Sequence, residues 1–140
     1  MLQKKKLDYP INSIDINRNG LIAVGHKNGV ITFYDSNKLE YSKKIATFKN
    51  PDKNLVSIVK FSPQGNTLAV GYAPPISKVY LYDVDSGKKI GICKGSPSRI
   101  NSVDFTRDGS AIMINNTSYE ILFYNTSNGT QMTSATAFKG

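Results

Sequence analysis

Histidine and cysteine, the residues most often recruited as base, nucleophile or metal ligand, occur once each among the 140 residues, as His26 and Cys93. A nucleophilic centre needs a nucleophile, a base and an orienting group to converge. His26 stands in His26-Lys27-Asn28-Gly29, a short segment between two apolar runs, with no sequence neighbour to complete such a set. It reads as an exposed loop histidine. A lone cysteine makes neither an internal disulfide nor a metal cluster, which suits a reducing compartment. No Gly-x-x-x-x-Gly-Lys phosphate loop and no Gly-x-Gly-x-x-Gly after a strand is present, and Asp8, Asp15 and Asp104 are not spaced as a calcium loop. These residues predict no catalytic centre, no cofactor and no metal; the chain does not read as an enzyme.

The chemistry that remains is recognition. Eighteen Lys and Arg against ten Asp and Glu give a net charge of +8, which favours an acidic partner. Lysines cluster at Lys4-Lys5-Lys6, Lys43-Lys44 and Lys88-Lys89. The last two pairs occupy matching repeat positions and either line one side of the molecule or protect outer sheet edges. Basic charge interleaved with aromatics is also how nucleic-acid binders read, but Tyr34, Tyr80, Tyr82 and Tyr124 fall where strands pack, so nucleic acid is disfavoured. Tyr9, Tyr72 and Tyr119 lie near strand ends or loops and are open to a partner. No run approaches the ~20 apolar residues that cross a bilayer, and no apolar run follows the first lysines. The expectation is a cytoplasmic protein with no membrane contact, whose Asn-x-Ser/Thr sequons at Asn115, Asn116, Asn125 and Asn128 are turn chemistry.

The elements that position these residues repeat. Ile11, Val56 and Ile100 open equivalent segments 45 and 44 residues apart, and Gly20, Gly65 and Gly109 close them at the same spacings. A period near 44 is that of four-stranded propeller blades. First strands are expected at Ile11 to Ile16, Val56 to Phe61 and Ile100 to Phe105, each apolar at its first, fourth and sixth places. Hairpin turns follow at Asn17 to Gly20, Ser62 to Gly65 and Thr106 to Gly109. Second strands, at Ile22 to Gly25, Leu68 to Gly71 and Ile112 to Asn115, are apolar without a break, as strands covered on both faces are. Third strands end in an aromatic and then Asp or Asn: Tyr34-Asp35, Tyr82-Asp83, Tyr124-Asn125. Short outer strands are expected at Ile45 to Phe48, Ile90 to Cys93 and Met132 to Ala135, with Lys38-Leu39-Glu40-Tyr41 lengthening a loop. No helix is expected. The fold class is all-β, a partial β-propeller of three four-stranded antiparallel blades at 8–50, 51–95 and 96–140.

The third-strand endings resemble the WD-repeat family, with tyrosine where that family has tryptophan. The segments Ile22-Ala23-Val24-Gly25, Leu68-Ala69-Val70-Gly71, Cys93-Lys94-Gly95 and above all Tyr119-Glu120-Ile121-Leu122-Phe123-Tyr124 resemble the echinoderm microtubule-associated protein-like family, from about Asp8 to Phe138. That resemblance implies a tandem propeller protein of the cytoskeleton that binds tubulin and microtubules, in which three such blades belong to an atypical propeller. A general WD-repeat scaffold in another protein or RNA-containing assembly is the alternative.

On either reading the loops between second and third strands and between blades form the binding face, because a propeller presents loops at the ends of rigid sheets. The candidate contacts are His26, Lys27, Lys53, Tyr72, Arg99 and the stiff Pro74-Pro75 loop. Three blades fall short of the four or more that close a ring. If each open flank is an apolar patch of about 300 to 600 Å², leaving it wet forgoes roughly 7 to 15 kcal/mol. That rivals the ~5 to 15 kcal/mol that holds a typical domain folded. Further blades, from a longer chain or a second chain, are therefore expected partners.

Overall fold

The alternation of apolar residues with glycine-closed turns is realised as sheet throughout. The computed structural model describes residues 10–36, 55–73, 78–94, 100–118 and 120–132, together with the backbone of 41–46. Among these residues there are twelve strands and no helix. The first sheet contains β1 (Ile11–Ile16), β2 (Leu21–His26), β3 (Val30–Asp35) and β4 (Tyr41–Ala46). The second contains β5 (Val56–Phe61), β6 (Thr67–Tyr72), β7 (Val79–Asp83) and β8 (Lys89–Cys93), and the third β9 (Ile100–Phe105), β10 (Ala111–Asn116), β11 (Ile121–Asn125) and β12 (Gln131–Met132). Each sheet is antiparallel, with its strands in sequence order.

Local chemistry sets the turns. In the first of them Gly20, at φ 86°, reaches a backbone region that residues with a Cβ avoid, and its N–H donates to Asn17 O at 3.1 Å. The Asn17 Oδ1 accepts from the N–H of Asn19 and of Leu21. In the second and third sheets the residue ending the third strand closes the following turn: Asp83 Oδ2 accepts from Ser86 N and Oγ at 3.0 and 2.7 Å, and Asn125 Oδ1 from Ser127 N and Oγ at 2.8 and 2.6 Å. A side chain that mimics a backbone turn explains why Asp and Asn interchange there.

The sheets stack through their first strands. β5 lies against β1 and β2, and β9 against β5 and β6, the arrangement of innermost strands in neighbouring propeller blades. Two apolar cores result. Ala23, Ile31 and Phe33 of the first sheet meet Val56, Val59, Phe61, Leu68 and Val70 of the second. Ala69, Val79 and Leu81, on the opposite face of the second sheet, meet Ile100, Val103, Phe105, Ile112 and Ile114 of the third. The second sheet is thus apolar on both faces, as its unbroken strand composition requires.

Strand limits differ from the sequence expectation in one place that matters. β4 begins at Tyr41, where a loop was expected, and not at Ile45. β3 leaves backbone groups from Val30 to Tyr34 in need of partners, and β4 pairs along that whole length, Val30 with Ala46 through Tyr34 with Tyr41. That demand overrides the polar composition of Ser42-Lys43-Lys44. Tyr34, Tyr80, Tyr82 and Tyr124 are all buried, as expected of packed third strands.

Candidate functional site

Because every odd strand of a sheet runs one way and every even strand the other, the structure has two loop faces. One carries the first-to-second and third-to-fourth strand turns; the other carries the second-to-third strand turns and the links between sheets. Of the candidate contacts His26, Lys27 and Tyr72 are described, all at the second face, and of these Lys27 alone is exposed.

Lys27 is exposed, in the turn that follows β2, and its N–H donates to Pro10 O at 3.2 Å. His26 and Tyr72 are not available to a partner, contrary to expectation. His26 is the last residue of β2 and is 1% exposed, with its ring Nε2 2.7 Å from Thr32 Oγ1. Strand alternation puts it on the same face as Ile22 and Val24. Tyr72 ends β6 on the face that carries Leu68 and Val70, is fully buried, and sets its ring edge-on to Tyr80 at 5.1 Å between centroids. Asn116, at the matching place in β10, is buried too. One slot at the end of each second strand is therefore a core position, filled in turn by imidazole, phenol and amide. Lys53, Pro74, Pro75 and Arg99 lie outside the described residues, as does Tyr119.

Two cations that the sequence reading passed over join Lys27 on this face: Lys78, half-buried directly before β7, and Lys94, exposed directly after β8. The signal for both is their place at the end of an apolar strand run. Glu120, before β11, is exposed and accepts a hydrogen bond from Asn116 Nδ2 at 3.2 Å. The described charges of this face are then Lys27, Lys78 and Lys94 against Glu120. The opposite face is mixed. Arg18, Lys88 and Arg107 are exposed there beside Asp35, Asp85 and Asp108. The Asp108 carboxyl is held below its ordinary range by hydrogen bonds from Ser110 N and Oγ and from Thr106 Oγ1. A depression of about 280 Å³ at the axis on this side is lined by Asp15, Arg18, Lys60 and Asp104, among others.

The doubled lysine Lys88-Lys89 sits where the third-to-fourth strand turn enters an outer strand. Lys89 Nζ lies 5.0 Å from the centre of the Tyr80 ring, so it covers an aromatic on the blade flank. Cys93 is buried, and burial pushes its thiol up to about 12, the opposite of a reactive cysteine. Among the described residues no group of three or more His, Cys, Asp or Glu could hold a metal ion, and no helix is long and apolar enough to cross a membrane.

No protein-family model matches the chain. It is similar to the human echinoderm microtubule-associated protein-like 2, 30% identical over 143 residues, which takes in 99% of this chain and 21% of that protein. It is 28% identical over 130 residues to mouse echinoderm microtubule-associated protein-like 3, covering 86% of this chain and 14% of that protein. Against rat echinoderm microtubule-associated protein-like 1 the figures are 29% over 125 residues, 86% of this chain and 15% of that protein. The chain thus spans between 14% and 21% of the length of these relatives.

Proposed function

The chain is a relative of the echinoderm microtubule-associated protein-like proteins along one stretch of their length, and on that premise we propose that it is a non-enzymatic WD-repeat module that docks on microtubules through acidic surfaces of tubulin. What supports this reading is the charge of the face built from second-to-third strand turns and inter-sheet links, where Lys27, Lys78 and Lys94 stand against Glu120. Rigid sheets hold these cations in fixed positions, so they steer and orient an acidic partner without a conformational change. Lys53, Arg99 and the Pro74-Pro75 loop join the same proposed surface. The protein then acts in the cytoplasm, on the cytoskeleton, by binding alone.

Co-sedimentation with microtubules tests this. Binding is expected to fall as ionic strength rises and as the acidic tubulin tails are removed. Reversing Lys27 and Lys94 together to Glu should weaken pelleting roughly tenfold at low salt, while reversing Arg18 and Arg107 on the opposite face should leave it nearly unchanged. Equal pelleting with and without microtubules at every ionic strength, or the same loss from both pairs of reversals, refutes the proposal.

A further inference from the structure

Asparagine followed by glycine is a pair in which the backbone can attack a side chain. The glycine amide nitrogen, with no Cβ beside it to hinder approach, adds to the asparagine Cγ and expels ammonia, and water opens the cyclic succinimide that forms. Such chemistry is one reason asparagine counts among the thermolabile residues. The chain has three of these pairs, Asn19-Gly20, Asn28-Gly29 and Asn128-Gly129. Each lies in a turn, with its glycine at φ 86°, 85° and 76° in that order. Each glycine N–H donates to a carbonyl of its own turn, Asn17 O, His26 O and Asn125 O, at 3.1, 3.1 and 2.7 Å. Local sequence does not separate the three.

Their surroundings do. Asn28 Oδ1 accepts from Val30 N at 3.1 Å and Asn128 Oδ1 from Thr130 N at 2.9 Å, so both carboxamides are tied to backbone just beyond the turn. Gly29 and Gly129 are also buried. A Cβ built on Gly129 would lie 2.7 Å from both N and O of Ile92, so that turn is pressed against β8 and moves only if the second and third sheets part. Asn19 is exposed and Gly20 half-buried, and among the described residues nothing bonds the Asn19 carboxamide. Rotation about the Asn19 Cα–C bond brings Gly20 N to Cγ and breaks only the bond to Asn17 O, inside the hairpin end. The matching positions in the other sheets are engaged. Gln64, which needs a larger ring, donates from Nε2 to Asp108 O at 2.9 Å. Asp108 is a carboxylate whose Oδ1 accepts from Ser110 N, Ser110 Oγ and Thr106 Oγ1.

We propose that Asn19-Gly20 is a site of non-enzymatic deamidation in the folded chain. Hydroxide takes the Gly20 amide proton, the nitrogen bonds to Asn19 Cγ, and the Cγ–Nδ2 bond breaks as ammonia leaves with a proton from water. Water then opens the succinimide at either carbonyl. Opening at Cγ gives aspartate; opening at the backbone carbonyl gives isoaspartate, whose main chain runs through Cβ and Cγ. Either product sets a carboxylate beside Arg18. Isoaspartate also lengthens the turn by one methylene, which displaces the Asn19 and Leu21 N–H groups from Asn17 Oδ1, where they donate at 3.0 and 2.9 Å. Asn17 Nδ2 in turn reaches Gly65 O of the second sheet at 3.3 Å, so the change passes to the joint between sheets. The site is on the loop face opposite Lys27, Lys78 and Lys94 and leaves the proposed docking surface as it is.

Ageing of the purified chain in mildly alkaline buffer tests this, with tryptic peptides followed by mass spectrometry. Trypsin cuts after Arg18 and Lys27, so peptide 19–27 carries Asn19 as its sole asparagine. That peptide should gain the mass difference between amide and acid and split into two chromatographic forms, aspartate and isoaspartate. In the folded chain Asn19 should convert roughly tenfold faster than Asn28 or Asn128, whose turns must open further. In guanidinium chloride the three rates should come together, since only the local pair then matters. Asn19→Gln should abolish the gain in peptide 19–27 and keep the fold, as Gln64 does at the matching place. A folded-state ratio nearer to one than to ten overturns the proposal, as does a mass gain that persists in Asn19→Gln. So does an Asn19 amide that outlasts roughly ten half-lives of the reaction in guanidinium chloride, because the turn would then never open far enough.

Discussion

Gly25 measures how closely the first two sheets approach. A Cβ built there would lie 2.4 Å from Val56 Cγ1, 3.1 Å from Val59 Cγ1 and 3.2 Å from Val56 Cβ. Val56 is fully buried and β-branched, so its χ1 is restricted and its methyl groups have little room to retreat. Gly25→Ala is therefore an overpacking substitution, with an expected loss of about 1 to 3 kcal/mol. With a urea m-value of ~2 kcal/mol/M, the unfolding midpoint should drop by roughly 0.5 to 1.5 M. Val56→Ala alone removes two buried methyl groups and costs about 2 kcal/mol through lost burial and the cavity left behind. In the double variant the added methyl occupies the space just vacated. Its loss should then fall short of the sum of the two single losses by roughly 0.5 to 3 kcal/mol, the range seen for residues in contact. Additive losses, or a Gly25→Ala chain as stable as the wild type, would refute the claim that these sheets meet at van der Waals distance along β2 and β5.

Two further outcomes follow from buried polar groups. Tyr124 Oη donates to Lys94 O at 2.5 Å, tying the third strand of the last sheet to the end of β8; Tyr124→Phe should cost about 0.5 to 1.5 kcal/mol, read as a shift in urea midpoint without a change in slope. Alkaline stability should also fall. Burial pushes the Cys93 thiol from 9.0 up to about 12 and, as the largest cause, the Tyr124 phenol from 10.0 up to about 12. Below about pH 9 both folded and unfolded chains keep these protons. Above it the unfolded chain ionises first, so stability is lost as pH rises from 9 towards 12. Cys93→Ala should flatten the lower part of that decline in thermal melts; an unchanged pH profile would contradict the burial of the thiol.

How far the fold was legible depends on which force set each element. The first strands were readable residue by residue, since their apolar places repeat in step with glycine-closed turns, and β1, β5 and β9 begin and end at the expected residues. β4 was not, because its extent follows from the backbone groups of β3 and not from its own side chains. The binding face was readable as a set of loops but not as a set of side chains. Residues at the ends of second strands look like loop residues in sequence, and His26 and Tyr72 became core only through pairing that continues one step past the apolar run. The place of Lys78 and Lys94 on the face is fixed by where β7 begins and β8 ends.

The slot shared by His26, Tyr72 and Asn116 makes the second strands of the three wedges non-interchangeable. Each occupant has a matching neighbour one strand over: Thr32 for the imidazole, Tyr80 for the phenol, and the Glu120 segment for the amide. A gene rearrangement that copied one second strand into another's place would separate an occupant from the neighbour that matches it. Exchange of whole wedges keeps each pair together. The unit that can be exchanged without breaking these pairs is thus the wedge that keeps its second and third strands together.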